Sequence, residues 1–243
     1  AISVKPDGLN INEGCGSTSP EQLVREVLSE KADLGIAFDG DGDRVIMIDH
    51  LGNIVDGDEL LFVIAKDRRR RGVALGGVVG TLMSNLGLEL GLKSLAVPFV
   101  RSSVGDRYVM EALKQHQWQL GGESSGHIIC LDATTTGDGV VSALQVLAAM
   151  VQTGSSLNAL CSDMQKMPQT MINVQITDKQ CVMNDDSVIN AVKQLESEMA
   201  GRGRVLLRPS GTEPLIRVMV EGEQPEQVRR YAEQLADVVR AVE

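Results

Sequence analysis

The sequence is poor in aromatic residues and has no long apolar run. Aromatic side chains make up 2% of its 243 residues, and the formal net charge is −10. Nucleic-acid surfaces need basic patches and usually stacking rings, so this composition argues against a nucleic-acid partner. No run of about 18 apolar residues is present that would form a transmembrane helix. We therefore expect no membrane contact.

Cysteine is scarce and dispersed. The four cysteines are Cys15, Cys130, Cys161 and Cys181, and none belongs to a C-x-x-C pair. Their spacing excludes the usual zinc-binding patterns and a dense disulfide framework. We expect reduced, mostly structural thiols, which are typical of a cytoplasmic protein. The sequence also lacks the Walker A and G-x-G-x-x-G patterns of nucleotide-binding loops.

What the sequence does contain is an alternation of strand and helix patterns. "ADLGIAF" and "RVIMID" are typical of buried strands, and "DGDELLFVIAKDRRRR" of a helix whose basic end suits its dipole. Ser19 as a cap and Pro20 as the first helical residue predict a helix from about Pro20 to Lys31. The alternation predicts an α/β domain with a mainly parallel or mixed sheet.

The pattern changes after about residue 165. Strand, helix, two strands and a closing helix follow, the order expected of a small α+β unit. A domain boundary near Met164–Pro168 is predicted. The expected fold is thus a mixed-sheet α/β domain plus a partial α/β domain, followed by a small α+β C-terminal domain.

The stretch "AFDGDGDRV" places three aspartates at alternate positions, directly after a predicted buried strand. The glycines between them let the backbone turn sharply. Asp39, Asp41 and Asp43 would repel one another unless a cation joins them, and Mg²⁺ prefers such oxygen ligands. The sequence therefore predicts a magnesium site. A solvated acidic turn remains the alternative.

The stretch "LLRPSGTEPLIRV" has the composition of an anion-binding turn. Ser210, Gly211 and Thr212 offer small side chains and open backbone N–H groups. Arg208 and Arg217 flank them, and a guanidinium group can fork onto phosphate oxygens. A β-hairpin loop with surface arginines is the alternative interpretation.

Two further loops carry polar side chains suited to a sugar. In "GGESSGH", Glu123 can accept hydrogen bonds from neighbouring hydroxyls, and Ser125 and His127 can donate or accept. In "RSSVGDRYV", Asp106 begins a predicted helix. A glycine-rich turn with an incidental histidine is the alternative for the first loop, and N-terminal capping is the alternative for the second.

Taken together, these motifs resemble the α-D-phosphohexomutase family. DGDGDR at 39–44, GESSGH at 122–127 and RPSGTEP at 208–214 occur in the family's order. "GTLMSNLGLE", "TTTGDGVVSALQ" and the polar Ser124 are similar to the branch that acts on glucosamine phosphates. The broader phosphomannomutase/phosphoglucomutase branch stays open as an alternative.

The resemblance implies an enzyme that interconverts glucosamine 6-phosphate and glucosamine 1-phosphate through a phosphoserine and a bisphosphate intermediate. It implies Mg²⁺ held by Asp39, Asp41 and Asp43, and a hexosamine phosphate as the binding partner. By the same match, Glu123 and Ser125 would hold sugar hydroxyls with His127 nearby, and the non-reacting phosphate would be held by Arg208, Ser210, Gly211, Thr212 and Arg217. Arg44 and Asp106 are further candidates for contact with the sugar. A homodimer stays open, as does a non-catalytic module that binds metal and phosphate.

One departure from the family concerns the nucleophile. The serine loop of the family, of the type T-x-S-H-N-P, is absent from this sequence. We therefore expect a C-terminal fragment that contains no catalytic nucleophile and is inactive alone. By the resemblance, residues 1–56 would end the family's second domain, 57–164 would form the third, and 165–243 the fourth.

Overall fold

A computed structural model describes residues 1–211 and 213–242. The chain forms two compact units, Ala1–Gln165 and Lys166–Glu243. The first unit contains α1 (Glu21–Glu30), β1 (Leu34–Phe38), β2 (Val45–Asp49), β3 (Ile54–Val55), α2 (Gly57–Arg70), β4 (Val78–Thr81), α3 (Leu86–Ser94), β5 (Phe99–Ser102), α4 (Asp106–His116), β6 (Leu120–Gly122), β7 (Ile128–Cys130), α5 (Gly139–Thr153) and α6 (Leu157–Cys161). The second contains β8 (Gln169–Gln175), α7 (Lys179–Met183), α8 (Asp186–Met199), β9 (Gly203–Pro209), β10 (Leu215–Gly222) and α9 (Pro225–Ala241).

The first unit holds two sheets. The smaller has the order β1-β2-β3 and is antiparallel. Phe38 pairs with Val45 next to the turn that joins β1 and β2. The larger has the order β5-β4-β6-β7; β4 runs parallel to β5 and β6, and β6 runs antiparallel to β7. This confirms the predicted α/β class with a mixed sheet. The carboxyl ends of β4, β5 and β6 share one edge, where α/β folds place their ligands.

One hydrophobic cluster links both sheets of the first unit through α2. It includes Met47 and Val55 from the small sheet, Leu61 and Phe62 from α2, and Ile128 from the large sheet. Asp56 caps α2 with a complete capping box, in which Glu59 returns a hydrogen bond to the Asp56 N–H group. The start of α2, which contacts the loop at 122–127, is therefore held in place both by its cap and by its packing.

The start of α1 differs from the sequence-based expectation. Pro20 occupies the N-cap, and the helix begins at Glu21. Ser19 does not cap the backbone, because its hydroxyl donates to the carboxylate of Glu21 at 3.0 Å. The Ser19 cap was therefore a wrong prediction, although the helix itself is present.

The second unit is an antiparallel sheet covered by helices. Its order is β8-β10-β9, so β10 is the central strand, and α9 packs its apolar face on the sheet through residues such as Tyr231 and Leu235. This is the predicted small α+β arrangement. In the β9–β10 pairing, Arg208 stands directly opposite Arg217. Within the described residues, no helix has the length and apolar character needed to span a bilayer.

Candidate functional site

The three aspartates of the predicted metal loop converge in the turn between β1 and β2. One carboxylate oxygen from each of Asp39, Asp41 and Asp43 lies within 4.8 Å of the others. The backbone N–H of Arg44 donates to Asp39 Oδ1 at 3.1 Å. Arg44 Nε lies 3.8 Å from oxygens of both Asp39 and Asp43, so one guanidinium partly offsets the negative charge.

The donor set fits a hard divalent cation. Asp43 Oδ1 is buried and accepts no hydrogen bond from any residue that the structure describes. Its contact is the 3.8 Å ion pair with Arg44, which is too long to satisfy a buried carboxylate oxygen. A cation in contact with three carboxylates would satisfy it, and Mg²⁺ prefers oxygen ligands of this kind.

His127 lies beneath the metal loop instead of beside the exposed Ser125. It is 4% exposed, and its Nδ1 forms a 2.9 Å hydrogen bond with Asp43 Oδ2. Arg44 and His127 also form an antiparallel β-bridge, and the Val45 N–H donates to Gly126 O at 3.0 Å. The metal loop and the 122–127 loop, called the sugar loop below, are thus one hydrogen-bonded assembly.

The sugar loop is packed tightly against the backbone of α2. Gly57 N–H donates to Ser124 O at 3.1 Å, and a Cβ at Gly57 would lie 2.0 Å from Glu123 O. The α2 backbone lies so close to the loop at position 57 that only glycine fits there. The segment GESSG has the spacing G-x-S-x-G of a nucleophile elbow. It joins β6 to the antiparallel strand β7, whereas a nucleophile elbow joins a strand to a helix, so it is not such an elbow.

Asp106 is brought to the same region indirectly. The Gly105 N–H, at the start of α4, donates to Glu123 Oε1 at 2.9 Å, so this helix start contacts the sugar loop. The Asp106 side chain is exposed and accepts from the Arg107 N–H. The geometry places Asp106 near Glu123 but shows only a local contact for its carboxylate.

Sequence reasoning missed the glycine turn at 137–139 as part of the site. Gly139 N–H donates to Gly42 O at 2.9 Å, and a Cβ at Gly137 would lie 2.2 Å from His127 Nε2. Asp138 caps α5 by accepting from the Val141 N–H. This turn therefore supports both the metal loop and the buried imidazole. The signal in the sequence was the G-D-G triplet, which lies in the family-like stretch TTTGDGVVSALQ but lacks nucleotide-binding spacing.

The predicted phosphate loop closes the β9–β10 hairpin in the second unit. Ser210 is 6% exposed; its N–H donates to Leu215 O at 2.9 Å, and its Oγ accepts from the Glu213 N–H at 3.2 Å. Gly211 is exposed. Thr212, also predicted here, lies outside the described residues. Lys179, which sequence reasoning missed, donates from Nζ to Ser210 O and Glu213 O.

Two like charges face each other below this loop. Burial, and then the charge of Arg217, lowers the pKa of Arg208 from its usual value. The Nε atoms of Arg208 and Arg217 are buried without a hydrogen bond to any described residue, and Arg217 Nη2 lies 3.4 Å from Glu213 Oε2. Two adjacent guanidinium groups with free donors are an arrangement that an anion would stabilise.

Two protein-family models match the segments that contain the sugar loop and the phosphate loop. The model of the phosphoglucomutase/phosphomannomutase α/β/α domain III matches residues 56–167. The model of the phosphoglucomutase/phosphomannomutase C-terminal domain matches residues 171–238. The first match contains the sugar loop, and the second contains the phosphate loop.

Similar individual proteins point the same way. A phosphoglucosamine mutase of Legionella pneumophila (strain Corby) is 56% identical over 242 residues, which are 100% of this chain and 53% of that protein. A phosphoglucosamine mutase of Pectobacterium atrosepticum is 57% identical, over 100% of this chain and 54% of that protein. The chain therefore spans about half the length of these curated relatives.

Solved structures share the fold. N-acetylphosphoglucosamine mutase of Aspergillus fumigatus superposes with a TM-score of 0.78 at 22% identity, over 98% of this chain and 58% of that one. A family protein of Burkholderia thailandensis gives a TM-score of 0.71 at 19% identity, over 93% of this chain and 50% of that one. With two family models matched in order and relatives more than half identical along its full length, the chain belongs to the phosphoglucomutase/phosphomannomutase family, the α-D-phosphohexomutases.

Proposed function

We propose that this chain is the metal- and phosphate-binding half of a phosphoglucosamine mutase, which interconverts glucosamine 6-phosphate and glucosamine 1-phosphate. The observation that carries the proposal is the 56% identity, along the whole chain, to proteins of that name. The branch that acts on glucose and mannose phosphates shares the fold, so substrate choice is the part of the proposal that needs an assay.

The metal loop is proposed to hold Mg²⁺ through Asp39, Asp41 and Asp43. Supporting this are the convergence of the three carboxylates and the buried, unsatisfied Asp43 Oδ1. The Aspergillus fumigatus relative was crystallised with GlcNAc-6P and magnesium. When bound, Mg²⁺ would neutralise charge on a phosphoryl group in transfer. His127 would then act by orienting Asp43, and Arg44 by balancing the charge of the loop.

The sugar is proposed to bind at the carboxyl edge of the large sheet. Glu123 is already oriented by Gly105, and Ser125 is exposed beside it. Both can accept hydrogen bonds from sugar hydroxyls, and a site built on such bonds rejects ligands that lack the matching groups. Arg44 and Asp106, both exposed nearby in the same unit, complete the proposed sugar-contacting set.

The phosphate loop is proposed to hold the phosphate that does not react. Ser210, Gly211 and Thr212 would supply backbone N–H groups and hydroxyls, and Arg208 and Arg217 the two cations. A mutase that transfers phosphate at either end of one sugar must let the sugar turn around. A clamp that recognises only the phosphate, through backbone N–H groups and guanidinium groups, can hold the sugar in both of its orientations. It also converts binding energy into alignment of the reacting end.

The phosphoryl donor is proposed to be a phosphoserine outside this sequence, because no serine loop of the family type occurs in it. Domain limits at 1–56, 57–164 and 165–243 belong to the same proposal; the two family models match 56–167 and 171–238. In this division the metal, sugar and phosphate loops fall in three successive domains.

An assay of two proteins tests the proposal. A protein of the relatives' full length should convert glucosamine 6-phosphate with a higher kcat/KM than glucose 6-phosphate or mannose 6-phosphate. The 243-residue chain should show no turnover on any of them. Turnover by the chain alone, or a preference of the long protein for glucose or mannose phosphate, would contradict the donor or the specificity, respectively.

A further inference from the structure

We propose that Lys179 is a positioning residue that sets the orientation of the phosphate loop. The inference rests on the proposed function, because it takes the 210–213 turn to be a phosphate clamp. Lys179 begins the short helix α7 and is half-buried. Lys179 is distant from the loop along the chain and lies outside the family-like RPSGTEP motif, so no sequence pattern pointed to it.

The ammonium group of Lys179 joins both ends of the loop. Nζ donates to Ser210 O at 2.6 Å and to Glu213 O at 3.1 Å. Its own backbone is fixed by Asp178, whose carboxylate accepts from the Gln180 and Cys181 N–H groups. A flexible side chain thus starts from an anchored helix end and reaches two carbonyl oxygens that bracket the turn.

The contact with Ser210 determines which way the Ser210–Gly211 peptide faces. The carbonyl of Ser210 and the N–H of Gly211 belong to one planar trans peptide, so they point in opposite directions. Because Lys179 holds the carbonyl, the Gly211 N–H faces away from Lys179. Gly211 is exposed, and a Cβ added to it would meet no atom within 4 Å, so there is space for a ligand at this residue.

The carbonyls of Glu213 and Pro214, after the turn, also accept backbone hydrogen bonds. Leu215 N–H donates to Glu213 O at 2.9 Å, and Ile176 N–H donates to Pro214 O at 2.8 Å. With the carbonyls of Ser210, Glu213 and Pro214 occupied, the Gly211 N–H is left to face an anion, which requires such donors. Without Lys179, the Ser210 carbonyl loses its donor, and its peptide can rotate to turn a negative dipole toward the phosphate.

The first experiment measures binding of glucosamine 6-phosphate and of inorganic phosphate to the 243-residue chain by calorimetry. Lys179→Met keeps an unbranched, slightly shorter side chain but removes its charge and donors. It should weaken the binding of both ligands about tenfold, or about 1.4 kcal/mol. Lys179→Arg restores charge and donors and should recover most of that loss. Lys193→Met removes an exposed lysine of the same unit and should change neither affinity.

The second experiment separates positioning from direct contact. Amide hydrogen exchange of the ligand-free chain should be faster at Glu213 and Leu215 in Lys179→Met, with the rest of β10, residues 216–222, as protected as before. Unchanged exchange in the loop would make Lys179 a direct ligand, and faster exchange throughout β10 would make it a general structural residue; either result overturns the inference. Failure of the unsubstituted chain to bind either phosphate would instead overturn the proposed clamp.

Discussion

At the residue scale, Asp41 is the sharpest probe of the metal loop. It is the exposed member of the three aspartates, so changing it should not disturb packing. Asp41→Asn removes one charge from the proposed metal ligands at nearly constant volume. We expect Mg²⁺ affinity, measured by calorimetry, to fall at least tenfold. In the full-length enzyme kcat should fall at least tenfold too, about 1.4 kcal/mol of barrier.

Asp33→Asn is the matched control for this change. Asp33 is an exposed carboxylate just before β1, on the same unit but outside the loop. Its substitution should leave Mg²⁺ binding and kcat as they are. Equal effects of the two substitutions would mean that general charge, and not ligation, governs metal affinity, and the loop would then lose its assignment.

A second prediction at this scale concerns the imidazole of His127. Partners that orient metal ligands typically change metal affinity by about 10–100-fold when they are removed. His127→Leu deletes the hydrogen bond to Asp43 and should weaken Mg²⁺ binding by that order. His127→Asn can place an amide donor close to the position of Nδ1 and should retain more of the affinity. Calorimetry on both variants, with circular dichroism to check folding, measures the difference.

Direct contact of His127 with the sugar would give another pattern. In that case both variants would bind Mg²⁺ normally, and glucosamine 6-phosphate alone would bind more weakly. The sequence placed His127 with the sugar loop because it is adjacent to that loop in the chain. Its hydrogen bond to Asp43 joins residues 84 positions apart, and no local pattern predicts a contact of that range. Lys179 escaped notice for the same reason.

At the scale of elements, Asp49 ties the turn between β2 and β3 to α6. It is 1% exposed and accepts hydrogen bonds from Leu51, Asn53 and Asn158. Burial by itself would raise the pKa of this carboxyl, but the hydrogen bonds from Asn53, Asn158 and Leu51 outweigh it, and the pKa is lowered. A carboxyl with a lowered pKa stabilises the fold above its unfolded pKa and loses that effect as the pH falls through its folded value.

We therefore expect Asp49→Asn to destabilise the chain most near neutral pH. The difference in free energy of unfolding from the unsubstituted chain should shrink as the pH falls below about 4, the usual range of a carboxyl group. Urea unfolding at a series of pH values measures it, with Asp33→Asn as the control. A difference in free energy of unfolding that does not change with pH would show that the charge of the Asp49 carboxylate does not contribute to stability.

The longer elements were predictable from the sequence, and three of the short ones were not. α5 and α9 combine apolar periodicity with clear ends, and both are present in the structure. β3, α6 and α7 contain between two and five residues. Segments that short carry too little periodicity to be recognised, and their positions depend on contacts made elsewhere, such as the bond between Asn158 and Asp49.

At the scale of the whole molecule, the candidate ligands are divided between the two units. The aspartates belong to the first unit, and Arg217 to the second. Arg217→Ala should therefore weaken glucosamine 6-phosphate binding about tenfold or more, since hydrogen bonds to charged groups contribute about 1.5–3 kcal/mol each. Mg²⁺ affinity should stay the same. Calorimetry with each ligand on one preparation compares the two effects directly.

The outcome that contradicts this division is a loss of Mg²⁺ affinity with normal sugar-phosphate binding. Arg240→Ala provides the control, since it removes an arginine of the same unit whose described partner is the exposed Asp237 on the same helix. In the full-length enzyme, Arg217→Ala should also release more of the bisphosphate intermediate into solution, because the clamp on its second phosphate is weakened. Chromatography of the quenched reaction detects that release.

The uneven burial of the cysteines has a practical consequence for labelling. Burial raises the pKa of Cys130 to about 11 and that of Cys161 to about 12, so almost none of either thiol is nucleophilic thiolate at neutral pH. Cys181 is exposed on α7, two positions from Lys179, and Cys15 is half-buried in the other unit. A maleimide dye should therefore attach first at Cys181. The native chain thus provides a fluorophore attachment point beside the phosphate loop, and ligand arrival there becomes an optical signal without any engineered thiol.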